Sequence, residues 1–463
     1  MTTAPKTLTG EVADFIQGLS YDKIPDKIRK ELKRCVLDGI GVALSGAPAQ
    51  CSVIIQKYIK ESGSTGNATV IGAKMKANAS QAALANGVAA HAEDYDDTQL
   101  SPAPNRIYGL LTHPTTPALS GTLAVAEEVG ASGRDFLTAF AIAMEVECKI
   151  ADAINPDHYG KGHHSTGTIG VFAAAAGAAK LWKLSPTETR HAIGIAASKS
   201  AGLRVNFGTM TKPYHAGAAA ENGVVAARLA KMGYQADPNT LDGQWGYFQV
   251  KGGGVEPERL MGKLGNPYTL EWPGVSVKPY PCGSLLHPSL DALLDLMNEH
   301  KFSAEQVDKL RLCAGNNILL PLRYKDPQNE LEAKFSPYYM LASMLLRKKA
   351  GLREFTEEAV HDPKVRAVMH KIETFRDKEI EAKGSARMLS RVEVYLKDGR
   401  VLKQDAFTSR GQPDRPMSQQ ELEAKFTDCA LGVLAPERIT AALAVIRRVD
   451  ELASVRELTA AVA

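Results

Sequence analysis

Hydrophobic residues in the first half of the chain recur at helical spacing, three or four positions apart. After Pro25, which suits the first turn of a helix, Leu32, Val36 and Ile40 follow this spacing. The same pattern predicts further helices over residues 81–93, 117–129, 134–155, 168–184 and 217–231. Several of these helices carry alanine and glycine on more than one face, so they can approach closely and be buried on several sides. The pattern predicts a helical domain with a buried centre rather than a doubly wound sheet.

The pattern changes near residue 265. Short β-branched and aromatic segments predict strands over 275–280 and 307–314, and a hairpin over 391–407 with Asp398 and Gly399 at its turn. Amphipathic helices are predicted between them over 287–300, 331–347 and 365–374, and helical spacing returns from residue 418 onward. We therefore predict a mainly α fold, in which a large all-helical domain (1–268 and 409–463) holds an inserted, smaller α+β lid domain (269–408).

Composition narrows the class of protein. The chain has 463 residues, of which 44% are hydrophobic and 23% charged, and its net charge is only +3. Such a weak charge disfavours nucleic-acid and membrane-surface binding. We see no apolar run long enough to span a membrane and no secretory signal. The six cysteines form no CxxC pair and no zinc spacing. We expect a cytoplasmic protein with reduced cysteines that binds neither nucleic acid nor membranes.

Candidate chemistry concentrates in residues 202–217, which read GLRVNFGTMTKPYHAG. Pro213 disfavours helix at Lys212, and a helical run begins at Ala216, so we expect Lys212 on a bend at a helix N-terminus. A lysine and the positive end of a helix dipole both attract an anion. The flanking Leu203, Val205 and Tyr214 suggest that the bend is buried rather than a surface loop.

A second lysine–proline bend occurs at Lys278-Pro279, before the predicted α+β domain. It could be a stiffened linker. Two lysines on rigid bends, one in each domain, also fit a cleft that closes on a small polyanion, because each ammonium can pair with a carboxylate. Cys282 follows, but no base is placed beside it, which disfavours a thiolate nucleophile.

The acidic run from Asp94 to Asp97 ends an alanine-rich helix. It could simply cap helices. It could also hold a cation, although the spacing is wrong for an EF-hand. A third interpretation has Asp94 orienting a base or pairing with a lysine, while Thr98 hydrogen-bonds a ligand.

Two histidine segments are candidates for proton transfer, since imidazole titrates near neutral pH. His113 stands just before a predicted helix, and His163 and His164 stand in a glycine-rich stretch that leads into a buried helix. Solvated or structural histidines remain the alternative for each. Adjacent histidines point apart and no HExxH motif occurs, so a metal site here is disfavoured. The dinucleotide, P-loop and serine-hydrolase motifs are also missing from the sequence.

The motifs taken together resemble the MmgE/PrpD family over nearly the whole chain. They are AHAEDYDDT (90–98), THPT (112–115), HSTGTIG (164–170), the stretch 202–217, KPYPCG (278–283) and EAKFSPYY (332–339). The resemblance implies a helical domain with a smaller lid, a homodimer, and action on small di- or tricarboxylates with no metal or organic cofactor. The family includes 2-methylcitrate dehydratases, cis-aconitate decarboxylases and iminodisuccinate epimerases.

Matched motif by motif, the resemblance implies a site with acid–base, cationic and hydrogen-bonding side chains: Asp94, Thr98, His113, His164, Lys212 and Lys278. It also implies Tyr339 and His163 as further substrate contacts. An aromatic residue is commoner in the family at position 163, so the choice between His163 and His164 stays open. The stretch 99–111 places His113 far beyond Thr98, and the decarboxylase branch tends to have this histidine sooner.

The resulting hypothesis is a cofactor-free hydro-lyase similar to 2-methylcitrate dehydratase. Lys212 and Lys278 would clamp carboxylates, His113 and His164 would act as acid and base, and Asp94 would orient a neighbour. Decarboxylation or epimerisation could use the same residues. The remaining alternatives are a carboxylate-binding protein without activity and a metal-dependent hydratase that uses Asp94, Asp96 and Asp97.

Overall fold

The first half of the chain is helical, with three short strands among its helices. A computed structural model describes residues 6–103, 106, 108, 110–383 and 388–463. Within this part, the chain first forms α1 (Leu8–Gly18), α2 (Asp26–Gly46), α3 (Gln50–Glu61), β1 (Ala68–Val70), β2 (Met75–Ala77), α4 (Ala79–Ala92), β3 (Thr98–Gln99), α5 (Thr115–Val129), α6 (Gly133–Ala153), α7 (Asp157–Gly160), α8 (Ser165–Leu181), α9 (Pro186–Ser198) and α10 (Thr211–Lys231).

The second half mixes strands with short helices before it returns to helices. Its order is β4 (Val275–Ser276), α11 (His287–His300), β5 (Val307–Ala314), α12 (Asn316–Leu319), α13 (Glu330–Ala333), α14 (Pro337–Arg347), α15 (Glu357–Val360), α16 (Pro363–Met369), β6 (Ile372–Arg376), α17 (Lys378–Ala382), β7 (Ser390–Leu396), β8 (Val401–Ala406), α18 (Gln419–Ala430), α19 (Pro436–Arg447) and α20 (Arg456–Ala461). The chain therefore has a mainly α fold with a smaller α+β part, as predicted.

Helix α10 packs closely against both α4 and α8. Gly87 of α4 and Gly217 of α10 meet at the first of these crossings, where a Cβ atom on Gly87 would lie 2.7 Å from the Cα atom of Gly217. A side chain at either position would collide with backbone, so glycine is what permits this approach. The close crossing brings the C-terminal end of α4 to the N-terminal end of α10, where His91 and Lys212 meet.

The α+β part is built on one four-stranded sheet in the order β6-β5-β7-β8. Strand β5 pairs parallel to β6 and antiparallel to β7, and β7 pairs antiparallel to β8. Helix α11 packs against β7 and β8, and α14 packs against β6 and α11. The sheet and these helices enclose a hydrophobic cluster of their own.

Two hydrophobic clusters account for most of the buried apolar side chains. The first cluster joins α1–α10 with α18 and α19. From these last two helices it includes Leu422, Phe426 and Ile439. The second spans residues 280–406 and also takes in Leu100 and Tyr108. Lys278, described below, lies in the chain between Val277 of the first cluster and Tyr280 of the second. The limits 1–268, 269–408 and 409–463 stay a prediction.

Three local predictions were wrong. The segment 365–374 is helical only as far as Met369, because Ile372 begins β6. The predicted helix over 331–347 is broken between Ala333 and Pro337, since a proline starts a helix more readily than it continues one. The strand predicted over 275–280 is limited to Val275 and Ser276.

The surroundings of Lys212 also differ from the prediction. Leu203, Val205 and Tyr214 are exposed by 55%, 68% and 44% rather than buried. Helix α10 begins at Thr211, before Pro213 and not after it, because a proline in the first turn removes an N–H that would have no helical partner anyway. Lys212 itself is buried, with only 4% of its surface exposed.

Among the described residues, no single helix is long and apolar enough to cross a membrane. Helices α2 and α3 reach that length and hydropathy only when taken together, and they meet at an angle of 84°.

Candidate active site

Asp94 lies at the centre of a buried group of charged and imidazole side chains. It follows the end of α4 in a left-handed conformation (φ 50°), which aspartate tolerates better than most residues do. Its carboxylate lies 2.6 Å from Nζ of Lys212 and 3.1 Å from Nζ of Lys278. Burial alone would raise the pKa of Asp94, but the two lysines hold that pKa well below its usual range. Asp94 is therefore an anion between two cations.

Lys278 is held at Asp94 by strand pairing and by its own hydrogen bonds. Strand β4 pairs antiparallel with β3, so that Ser276 lies opposite Thr98. Beyond β4, Nζ of Lys278 donates to the backbone carbonyls of Asp94 (2.9 Å) and Cys282 (3.2 Å). The same ammonium group forms its ion pair with the Asp94 carboxylate, so two carbonyls and one carboxylate surround it. In this arrangement, Lys278 fixes the turn that carries Asp94.

Lys212 has a different set of contacts. Its Nζ donates to the Asp94 carboxylate and, over 2.8 Å, to Nε2 of His91. Two of its three hydrogens are thereby used, which leaves one for a further acceptor. The rings of Phe207 and Phe335 lie 5.5 Å from Nζ. Burial lowers the pKa of Lys212.

His91, which sequence reasoning did not select, connects Lys212 to Asp96. Its Nδ1 lies 2.8 Å from the Asp96 carboxylate. Because a carboxylate can only accept, this nitrogen carries the proton, and Nε2 is left as the acceptor for Lys212. Burial lowers the pKa of His91 to about 3, so that the ring is neutral at physiological pH. The available signal was its place in a buried, alanine-rich helix three residues before Asp94.

Asp96 organises two histidines. Besides His91, it accepts a hydrogen bond from the Thr116 hydroxyl (2.6 Å) and lies 3.4 Å from Nδ1 of His113. Burial opposes the ionised form of Asp96, but His91 and His113 hold its pKa well below the usual range. The rings of His91 and His113 are 4.5 Å apart in an edge-to-face arrangement. Asp96 therefore serves as a fixed anion behind both imidazoles.

His113 reaches this position although the segment 99–111 separates it from Thr98. The chain returns because Gln99 bonds to Thr112 twice, through its backbone N–H (3.0 Å) and through the Thr112 hydroxyl, which donates to the Gln99 side chain (2.6 Å). The backbone N–H of His113 donates to the Thr166 hydroxyl. Burial lowers the pKa of His113, so this imidazole is also neutral near pH 7. The segment 99–111 therefore lengthens the connection without moving His113 away from Asp96.

His164 stands at the N-cap position of α8. Its ring lies 5.7 Å from that of His91, and its Nδ1 is 3.0 Å from Nδ1 of His215 on α10. Burial and the nearby Lys212 lower the pKa of His164 well below its ordinary value. Within the described part of the chain, Nε2 of His164 is buried and has no hydrogen-bond partner. A neutral imidazole nitrogen is thereby left available.

Other buried polar atoms nearby in the chain are also unpartnered among the described residues. They include the hydroxyls of Thr98 and Ser165, both of which are fully buried. Most buried polar groups in folded proteins have a hydrogen-bond partner, so such exceptions mark places where a ligand could supply one.

The structure does not bring two of the predicted residues into this group. The ring of His163 stacks on that of His158 at 4.5 Å, and no hydrogen bond or ion pair joins it to Asp94 or to either lysine in the described part. Tyr339 is buried in α14, and its hydroxyl donates to the backbone carbonyl of Glu354. The remaining predicted residues form one connected cluster: Asp94, His113, His164, Lys212 and Lys278. Thr98 lies on β3, opposite Ser276 of β4, two positions before Lys278.

Two further acids lie behind the cluster. Burial raises the pKa of Asp97 to about 7, although the Thr115 hydroxyl donates to this carboxyl over 2.6 Å. Burial also raises the pKa of Glu147 well above its usual value, and the nearby Asp97 and Asp96 raise it further. The described residues offer no hydrogen-bond partner to either oxygen of Glu147. Burial and the two neighbouring aspartates therefore favour the protonated form of Glu147.

The cluster contains a set of atoms with the spacing of a metal site. Donor atoms of His91, Asp94, Asp96 and His113 lie within 4.8 Å of one another. The oxygens of Asp94 are, however, bound by two ammonium groups, and the carboxylate of Asp96 is engaged by His91 and Thr116. A divalent cation would be repelled by both lysines. The donor set therefore fits a metal poorly, and the positive charge beside Asp94 comes from lysine.

Comparison with known proteins gives consistent matches across the chain. The MmgE/PrpD N-terminal domain matches residues 10–260, and the MmgE/PrpD C-terminal domain matches residues 280–451. A cis-aconitate decarboxylase of Homo sapiens is 28% identical, over 98% of this chain and 94% of the relative. One of Aspergillus terreus is 26% identical, over 99% and 96%. The mitochondrial 2-methylcitrate dehydratase of Yarrowia lipolytica is 25% identical, over 85% and 77%.

Proposed function

The chain belongs to the MmgE/PrpD family, and we propose that it is a lyase that moves a proton at a carbon beside a carboxylate of a small di- or tricarboxylate. The observation that carries this proposal is the environment of Lys212. Its ammonium group keeps one hydrogen for a further acceptor, and three neutral histidines lie around it. A site of this kind can both bind an anion and exchange protons with it.

Lys212 would stabilise the charge that develops during such a reaction. When a proton leaves a carbon beside a carboxylate, negative charge spreads onto the carboxylate oxygens. Lys212 would donate its remaining hydrogen to one of these oxygens, and it is already oriented by Asp94 and His91. A donor fixed before the reaction in a buried site is more effective than water, which must reorganise.

The histidines divide into a structural one and two that would exchange protons. His91 uses both ring nitrogens, for Asp96 and Lys212, and so orients the lysine. His164 has an unpartnered Nε2, and the Asp96 carboxylate lies near His113. We therefore assign the acid and base roles to His113 and His164. A positioned acid or base typically contributes about 100- to 10,000-fold to the rate.

Decarboxylation of cis-aconitate is the first specific candidate. The support comes from relatives named as cis-aconitate decarboxylases, which align with 98–99% of this chain. In that reaction, the bond between carbon and one carboxylate breaks, carbon dioxide leaves, and the electron pair stays on the unsaturated skeleton. A histidine would protonate the skeleton while the lysine holds a remaining carboxylate. This order reverses the sequence-based ranking, which rested on the length of the stretch 99–111.

Dehydration of a hydroxy-tricarboxylate is the second candidate. The dehydratase of Yarrowia lipolytica aligns with 85% of this chain, and a pair of histidines suits a reaction that needs both a base and an acid. One imidazole would take the proton beside the carboxylate, and the other would protonate the departing hydroxyl. A homodimeric state and a reaction without metal remain predictions.

Proton NMR in heavy water tests these assignments directly. Protein treated with a chelator would be incubated with citrate, 2-methylcitrate, cis-aconitate and aminated dicarboxylates, alongside a Lys212→Ala variant. We expect loss of a carboxylate from cis-aconitate, or a new alkene from a hydroxy acid, and neither product with the variant. Exchange of the proton beside the carboxylate without net product would indicate an epimerase.

Three results would contradict the proposal. Activity that disappears on chelation and returns with a divalent metal would favour a metal-dependent hydratase. Binding of the carboxylates without any turnover would favour a binding protein. Near-wild-type turnover in both His113→Ala and His164→Ala would remove the acid and base roles.

A further inference from the structure

His215 contacts His164 through an unusual pair of nitrogens. It lies on α10 three residues after Lys212, and its Nδ1 is 3.0 Å from Nδ1 of His164. His164 is almost completely buried, with 1% of its surface exposed, whereas His215 is exposed by 8%. None of the relations described above gives His215 a function. His215 is, however, more exposed to solvent than His91, His113 or His164.

Two Nδ1 atoms at hydrogen-bond distance share one proton, because two protonated nitrogens would repel and two bare ones would not bond. The pair therefore has two neutral arrangements. When His164 carries the Nδ1 proton, its Nε2 has a free electron pair and is a base. When His215 carries that proton, Nε2 of His164 is protonated and is an acid. The state of His215 thus sets the function of Nε2 in His164.

Glycines leave the space in which the two rings approach each other. A Cβ atom on Gly167 would lie 3.0 Å from Cβ of His215, and one on Gly202 would lie 3.4 Å from both His164 and the His215 ring. Gly202 also has a φ of 149°, which other residues rarely adopt. Glycine at these two positions allows the imidazoles to meet.

The charges around the pair favour neutral rings. His164 is faced by Lys212 and His215 from α10, by His91 from α4 and by His113 from the loop before α5. His215 is faced by Lys212 and His164. Burial, and then Lys212, lower the pKa of His215 to about 4. No carboxylate bonds to either imidazole in the described part of the chain, so the aspartate that commonly orients a catalytic histidine is replaced here by a second histidine.

We propose that His215 is a positioning residue and proton relay for His164. The inference rests on the proposed function, in which Nε2 of His164 exchanges a proton with the substrate. As Nε2 takes a proton from the substrate carbon, the Nδ1 proton of His164 passes to Nδ1 of His215. His215 then releases its own Nε2 proton to solvent. One proton enters the pair and one leaves, and the reverse order recharges His164 as an acid.

Variants at position 215 distinguish a proton-relay role of His215 from a role in packing alone. His215→Asn keeps a polar atom near Nδ1 of His164 but cannot carry a proton through. His215→Ala opens space for free imidazole. His158→Asn is the matched control, since His158 is another buried, neutral histidine with two hydrogen bonds, to Thr168 and to the Lys251 carbonyl.

With the substrate found in the NMR panel, both His215 variants should lower kcat by about 10- to 1,000-fold and change KM little. Imidazole should raise kcat of His215→Ala in proportion to its concentration. The His158→Asn control should show neither effect. Turnover of His215→Asn within twofold of wild type, or a lowered kcat that imidazole does not raise in a folded His215→Ala, would overturn the proposal.

A second measurement does not depend on turnover. In protein labelled with ¹⁵N-histidine, a coupling between two imidazole nitrogens should be visible across the shared hydrogen bond, and it should disappear in His215→Ala. Absence of this coupling in the wild-type protein would refute the relay even if the enzyme is active. Its presence together with inactivity on every compound would refute the proposed function instead.

Discussion

Two buried lysines hold the same turn of the chain, yet only one of them has the contacts of a reactive group. Lys212 pairs with Asp94, and Lys425 donates to the backbone carbonyl of the next residue, Tyr95. Lys212 and Lys425 are exposed by only 4% and 6%. Each is paired with an aspartate at 2.6 Å, Lys212 with Asp94 and Lys425 with Asp38. Burial and pairing alone therefore do not distinguish them.

The difference lies in what remains after pairing. Lys425, on α18, donates to the carbonyls of Tyr95 and Lys278 at 3.0 Å each, and its ammonium group also forms an ion pair with Asp38. The Tyr95 ring lies 3.9 Å from its Nζ. Lys212 instead has one hydrogen left and neutral imidazoles around it. A buried lysine has a structural role when acceptors surround its whole ammonium group. It can also bind a ligand when one hydrogen of that group has no acceptor in the protein.

Replacing Lys212 should have the largest effect, and the effect should be on activity. Lys212→Met removes the cation that faces the substrate, so kcat/KM should fall at least about 1,000-fold on the substrate identified by NMR. Asp94 keeps its second partner, Lys278, so the melting temperature should change far less than activity does. Lys231→Met, at the exposed end of the same helix, is the control. Retention of more than a tenth of the activity would contradict the role of Lys212.

Replacing Lys425 should shift the effect from activity to stability. Lys425→Met leaves Asp38 buried without its cation, and breaking such a pair lowers the free energy of unfolding by about 3–5 kcal/mol. Thermal melting measures the loss. Adding Asp38→Asn should restore part of it, because the uncompensated charge is then removed. A single variant as stable as the wild type would show that the pair does not fasten α18.

Glu147 extends the comparison to a buried acid that forms no ion pair with a lysine in the described part of the chain. Its folded-state pKa is raised above the unfolded value, so above pH 4.5 the folded chain binds more protons than the unfolded one, and stability falls as pH rises. Glu147→Gln removes this dependence. Its stability relative to wild type should therefore grow from pH 5.5 to pH 8, by at most about 1.4 kcal/mol per pH unit. Thermal melts at both pH values test this, and an equal difference at the two would refute it.

Elements with a strong local pattern could be predicted from the sequence. The helix His287–His300 and the strand Val307–Ala314 have the predicted limits, and the hairpin of β7 and β8 differs from the prediction by only one residue at each outer end. Periodicity and an Asp-Gly turn decide these structures locally. The strand Ile372–Arg376 was missed because its partner, β5, lies about sixty positions earlier, and pairing over such a distance leaves no local signal.

The cluster could be predicted only in part. Motifs identified Asp94, His113 and Lys212, which do meet. They gave no sign that His91 would connect Lys212 to Asp96, because that contact depends on how closely α4 and α10 cross. They also placed Tyr339 with the site, whereas its hydroxyl donates to the Glu354 carbonyl and its side chain belongs to the second hydrophobic cluster. Which side chains converge is decided by tertiary packing, which a linear motif does not contain.

The position of Lys425 in the chain has a consequence for biosynthesis. Its ammonium group donates a hydrogen bond to the backbone carbonyl of Tyr95, which lies 330 residues earlier in the sequence. A ribosome releases the N-terminal helices first, and domains fold in that order as they emerge. The turn that carries Asp94 therefore lacks this fastening until α18 has been synthesised. Contacts over such separations also slow folding. The nascent chain acquires this contact only after the residues up to α18 have been translated.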